Sequence, residues 1–76
     1  MRKIELRAVT DGFRVYVDDE QTNIGISKSV FELSKNFPGV SVKEEVLAMI
    51  PQALNGTDLT EFERDKIARL YSEVLD

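Results

Sequence analysis

Four side chains near the N-terminus are of the types that bind nucleic acid: Lys3, Arg7, Arg14 and Tyr16. Cations neutralise phosphates, and an exposed aromatic ring stacks on unpaired bases. Alternation of the neighbouring apolar residues predicts that the four lie on one face of a β-hairpin. They are candidates for a nucleic-acid face. The alternative is a solvated sheet face on which Arg7 packs against the ring of Tyr16.

The C-terminal segment offers a second kind of surface. From Glu61 to about Leu75 it has helical periodicity, with an apolar arc wider than the ~100° stripe that a surface helix needs. The candidate interface residues on this arc are Ile67, Leu70, Tyr71, Val74 and Leu75. A small core could use all of them internally. Because exposed apolar patches mark association sites, the alternative is contact with a second copy or another protein, with Tyr71 and Leu75 at the edge.

Catalytic and metal chemistry finds no support in the sequence. The chain has no cysteine and no histidine, which removes thiolate chemistry and the commonest neutral-pH base. The acidic run at residues 18–20 lacks the glycine and glutamate spacing of a calcium-binding EF-hand loop. We therefore predict no enzyme activity, no cofactor and no metal.

Charge is distributed unevenly along the 76 residues, whose net charge is −4. Residues 1–17 carry four basic and two acidic side chains, whereas the remainder carries six and twelve. Such asymmetry can orient a partner. No apolar stretch approaches the ~18 residues of a membrane span, and the N-terminus lacks the apolar region of a signal peptide, so we expect an intracellular, cytoplasmic protein.

The N-terminal elements are predicted from apolar alternation around Asp11-Gly12, a strong hairpin signal. A two-residue loop there pairs Ala8 with Val15 and places Arg7 opposite Tyr16. One face then carries the larger apolar groups: Ile4, Leu6, Ala8, Phe13, Val15 and Val17.

A third strand is predicted after a polar connector at residues 18–23. The short segment Ile24-Gly25-Ile26 would place both isoleucines inward. Gly25 either weakens this strand or marks a bulge.

Three capping boxes, each a Ser or Thr followed three residues later by Glu, mark helix starts. They are Ser29 with Glu32, Ser41 with Glu44, and Thr60 with Glu63. In each box the hydroxyl and the Glu side chain satisfy two backbone N–H groups.

The first predicted helix runs from about Val30 to Asn36, with Val30, Leu33 and Phe37 on its buried side. The second starts at Ser41, and Pro51 on its outer face should kink it or split its last turn. Its predicted apolar side comprises Val42, Val46, Leu47, Met49, Ile50, Ala53 and Leu54.

The third helix is predicted to be the longest and to gain support from ion pairs of Arg69 with Asp65 and with Glu73. Residues 29–54 also suggest a helix-turn-helix motif. Glu44 and Glu45 at the start of its second helix would, however, repel phosphates.

Together these patterns predict a single α+β domain over residues 1–76, in which an N-terminal antiparallel hairpin, with or without a third strand, packs against three helices. We expect a small protein-protein interaction module, an accessory or regulatory factor that acts by stoichiometric binding and forms a homodimer through the last helix. The composition is compatible with an inhibitor from a phage or mobile element. The alternative is a nucleic-acid-binding domain that uses the hairpin face.

Overall fold

The computed structural model describes residues 2–37 and 42–75, without the side chain of Ala53. Its elements are β1 (Ile4–Val9), β2 (Gly12–Val17), β3 (Glu20–Ser27), α1 (Lys28–Asn36), α2 (Val42–Ala53) and α3 (Glu61–Leu75). The three strands form one antiparallel sheet in the order β1-β2-β3. The predicted α+β architecture is confirmed, and it contains the third strand.

The first hairpin has a different register from the one predicted. Val9 pairs with Gly12, so the loop is Thr10-Asp11 rather than Asp11-Gly12. Gly12 has a φ of 137°, and a Cβ there would lie 2.1 Å from the carbonyl oxygen of Ile26, so only glycine fits this position in β2. The pairing of β1 with β2 is shifted by two residues from the predicted register. Because side chains alternate with a period of two, each residue keeps its predicted face of the sheet, and the same apolar residues point inward.

The second turn is Asp18-Asp19, which lies within the predicted polar connector at residues 18–23. Both aspartates have positive φ, 51° and 69°, as a type I′ turn requires. Val17 then pairs directly with Glu20, and β3 is eight residues long. Its first half is polar because it forms an edge of the sheet, where side chains are exposed.

A bulge interrupts β3 just before Gly25. Arg14 pairs with Gly25 and Tyr16 with Gln21, so three residues of β3 lie opposite one residue of β2. The Thr22 hydroxyl donates to the carbonyl of Val15 at 2.8 Å and fills the gap in the ladder. A Cβ at Gly25 would lie 2.1 Å from the carbonyl oxygen of Phe13, which excludes any larger residue.

The start of α1 differs from the prediction. Ser27, and not Ser29, is its N-cap, and its hydroxyl accepts from the N–H of Val30 at 3.2 Å. The predicted buried side is also wrong at two positions, because Leu33 is 43% exposed and Phe37 is 55% exposed.

The ring of Phe31 packs instead of these two side chains. It lies edge-on to Phe13, with 5.1 Å between the ring centroids. This contact ties α1 to β2.

Helix α2 continues through Pro51 to Ala53, and Pro51 is exposed as predicted. Val42, Ile50 and Leu54 are buried, but Met49, predicted to be inward, is 63% exposed. The predicted capping box at Ser41 lies outside the described residues.

Helix α3 has the predicted bounds, and its capping box is confirmed in both directions. The Glu63 N–H donates to the Thr60 hydroxyl at 3.2 Å, and the Thr60 N–H donates to the Glu63 carboxylate at 2.9 Å. The predicted ion pairs of Arg69 do not form among the described residues.

The core lies between the inward sheet face and the helices. Its buried members are Ile4, Val15, Ile26, Ile50, Leu54, Leu59, Ile67, Tyr71 and Leu75. Every strand and both longer helices contribute to this cluster. Within the described ranges, no helix has the length and apolar character needed to cross a membrane.

Candidate functional site

The outer sheet face brings the four predicted nucleic-acid residues together, but in a changed register. Arg7 pairs with Arg14 and Glu5 with Tyr16. The Arg7 guanidinium nevertheless reaches diagonally over the Tyr16 ring, 4.4 Å from its centroid. This is the cation–π contact of the solvated-face alternative.

Acidic neighbours neutralise the cations of this face. Arg7 hydrogen-bonds both Glu5 and Asp19, and Lys3 lies 3.3 Å from Asp19. Hydrogen bonds from Arg7 lower the pKa values of both carboxyl groups below their ordinary range.

The other two residues of the predicted face are also engaged. Arg14 lies 3.7 Å from the carboxylate of Asp11, and the Tyr16 hydroxyl donates to Gln21 at 2.9 Å. The geometry therefore gives the nucleic-acid alternative no support.

The candidate interface residues of α3 mostly belong to the core. Ile67, Tyr71 and Leu75 are buried, and Leu70 and Val74 are half-buried against the same cluster. The core of one chain thus accounts for the wide apolar arc. Little of the arc is left as surface for a partner.

The N-terminal segment is fastened to α3 by a polar cluster. Arg2 lies 2.8 Å from the buried carboxylate of Glu63 and 3.0 Å from Asp58. Its hydrogen bond, together with that from the Thr60 N–H, lowers the pKa of Glu63 to about 2. An open polar depression of about 540 Å³ adjoins Arg2. The Arg2 guanidinium already donates hydrogen bonds to Asp58 and Glu63.

An apolar cavity of about 270 Å³ opens between the edge of β3 and α2. We call it the β3–α2 groove. Its lining residues are Ile24, Gly25, Ile26, Ser27, Val30, Val46, Met49, Ile50 and Tyr71. The strand edge forms one wall and α2 the other, with the first turn of α1 at one end.

Tyr71 supplies the polar group of the groove. The residue is only 3% exposed, and its hydroxyl makes no hydrogen bond to another described residue. Burial raises its pKa to about 12, although Arg14 opposes the shift. Because the hydroxyl has no partner among the described residues, it is available to a ligand. Among the described residues, Arg64 Nε is the side-chain atom that is buried without a partner, and it does not line the groove.

The rim of the groove carries exposed apolar side chains. Met49 lines the groove and is largely exposed. Leu33 follows Val30 by one helical turn, which places it on the same side of α1, and Phe37, the C-cap of α1, is also exposed. Apolar surface therefore extends from the groove along α1 and α2.

A carboxylate flanks this apolar rim. Glu45 precedes Met49 by one helical turn, is exposed, and takes part in none of the ion pairs of the described residues. It is free to pair with a cation from outside the chain.

Sequence reasoning missed the groove because it treated Met49, Leu33 and Phe37 as core residues. One signal was present, since Gly25 was singled out as a bulge or weak point in a strand. That glycine marks the bulge beside the groove, where the Phe13 carbonyl of β2 approaches its backbone.

Comparison of the chain with protein-family models, with curated proteins and with solved structures gave no match. Among the described residues, no cluster of three or more acidic side chains could hold a metal ion.

Proposed function

We propose that this protein is a stoichiometric binding module that holds a segment of another protein in the β3–α2 groove. The observation that carries this proposal is the groove itself, an apolar cavity whose lining includes Tyr71, the hydroxyl of which has no hydrogen-bond partner among the described residues. Its volume lies below the roughly 300–1,000 Å³ of small-molecule sites. It suits one or two apolar side chains of a peptide better than a cofactor.

Charge favours a basic partner. The cations of the sheet are paired, whereas Glu45 beside the groove is unpaired within the described part of the chain. A segment with an apolar anchor and a neighbouring Lys or Arg would complement this rim. A second copy of this acidic chain would instead bring like charges together, which disfavours the homodimer expected from the sequence.

Selection from a displayed library of random peptides, followed by calorimetry with the best synthetic peptide, tests the proposal. We expect 1:1 binding through an apolar residue next to a basic one. Met49→Glu places a charge in the apolar wall, and it should weaken binding at least tenfold, about 1.4 kcal/mol. The matched control is Phe62→Glu, since Phe62 is 57% exposed and does not line the groove.

Two results would overturn the proposal. One is a failure to enrich any peptide, or equal binding by both variants. The other is a dimer by light scattering that Met49→Glu dissociates, which would make a second copy the occupant. Circular dichroism of each variant establishes that the fold is intact.

A further inference from the structure

The edge of β3 has unpaired backbone groups at the wall of the groove. The N–H of Lys28 donates to the carbonyl of Asp11 at 2.8 Å. Because hydrogen-bonded pairs alternate along antiparallel strands, the next such pair is Phe13 with Ile26. The N–H and C=O of Gly25 therefore point away from β2 and toward the open edge.

Outside the sheet ladder, those two groups form no hydrogen bond among the described residues. No turn, cap or side-chain hydrogen bond involves Gly25, and the residue is exposed. An antiparallel strand placed there would form a pair of hydrogen bonds with one residue, as in strand addition to a sheet edge.

We propose that the partner binds as an extended strand that adds to β3 at Gly25 and directs an apolar side chain into the β3–α2 groove. This inference rests on the proposed function and specifies its occupant. Side chains of a strand alternate, so every second residue of the partner faces the groove. The Tyr71 hydroxyl then donates to a main-chain carbonyl of the added strand.

The bulge limits the length of this pairing. Asn23 already uses its carbonyl to accept from Arg14 at 3.3 Å, and on the other side β3 ends at Ser27, where α1 begins. The edge thus presents a short pairing site centred on Gly25. The specificity of binding then comes from the anchor in the groove and from Glu45.

Backbone N-methylation of the selected peptide tests this inference, because Gly25 itself has no room for a substitution. Each residue is methylated in turn, and affinity is measured by calorimetry. Strand addition predicts a loss of at least tenfold at the residue paired with Gly25 and little change at its two neighbours. A helical or irregular peptide would not give this alternation.

Hydrogen exchange of the protein amides gives an independent measure on the full chain. Saturation with the unmodified peptide should slow the Gly25 amide at least tenfold. The Ala8 amide is the matched control, because the same alternation directs it outward from β1, the other edge strand. If the peptide binds 1:1 and Met49→Glu weakens it, yet Gly25 is unprotected and methylation shows no alternation, strand addition is wrong while the proposed function stands.

Discussion

The outer face of the sheet and the β3–α2 groove differ in how their polar groups are satisfied. On the outer face Arg7 is bonded to Glu5 and Asp19 and stacked on Tyr16. In the groove the Tyr71 hydroxyl has no partner among the described residues. A surface rich in functional groups can thus be saturated by its own chain, whereas a plainer apolar surface can be the one left open for binding.

Substitution of Tyr71 should give the largest change in the free energy of unfolding, and it tests whether the hydroxyl in the groove is unused by the fold. Tyr71→Ala removes a buried ring and should lower the free energy of unfolding by about 3–5 kcal/mol. Tyr71→Phe removes only an unpaired hydroxyl and should change it by less than about 1 kcal/mol. Urea unfolding followed by circular dichroism measures both. A large cost of Tyr71→Phe would mean that the fold already uses the hydroxyl.

Low pH should weaken the stabilising ion pairs of the Arg2 cluster and leave the apolar contacts of the groove unchanged. The folded-state pKa of Glu63 is about 2, below its ordinary value of 4.5. Its stabilising contribution is therefore complete above about pH 5 and is lost as the pH falls toward 2. Unfolding midpoints measured across this range should fall steeply for the parent and less steeply for Glu63→Gln.

Glu61→Gln is the matched control for this acid effect, since it removes an exposed carboxylate from the same helical turn. Equal acid dependence in the parent and in Glu63→Gln would contradict the assignment of the effect to the Arg2 cluster.

The N-cap of α1 positions one end of the groove and should have an intermediate effect. Ser27→Ala removes the hydroxyl that accepts from the N–H of Val30, at a cost of about 1 kcal/mol. Ser29→Ala should change stability by less than about 0.5 kcal/mol. Thermal unfolding of the two variants compares their losses of stability directly. A larger loss for Ser29→Ala than for Ser27→Ala would mean that Ser29 is the cap.

The smallest effect is expected on the outer face. Arg7→Gln breaks exposed ion pairs and should cost at most about 1 kcal/mol, an amount that high salt reduces. Peptide affinity should not change. Filter binding of a single-stranded oligonucleotide checks the alternative function, and tight, steeply salt-dependent binding that Arg7→Gln abolishes would reverse the comparison between the two regions.

Local signals in the sequence were sufficient for part of this fold. The start of α3 and its capping box follow from Thr60 and Glu63, whose interaction spans one helical turn. The inward face of the hairpin was also predictable, because its alternation survives a two-residue shift in register. The loop position was not, since the choice depends on how Gly12 packs against Ile26 of a third strand.

The groove depends on non-local packing. Ser29 has the stronger local capping signal because Glu32 follows it by three residues, yet the end of β3 makes Ser27 the cap. Met49, Leu33 and Phe37 are apolar, so periodicity alone assigns them to the core. Only the mutual placement of α1, α2 and the edge of β3 leaves them exposed. Tyr71 was a predicted partner residue, but it contributes its hydroxyl to the groove rather than its ring to a helix interface.

The most direct test of the central claim is a nuclear magnetic resonance titration of the isotope-labelled protein with the selected peptide. The account predicts that the largest chemical-shift changes occur at Gly25, Val46, Met49 and Tyr71, with little change at Arg7 and Arg14. Changes concentrated on the outer sheet face, with the groove residues unaffected, would contradict it.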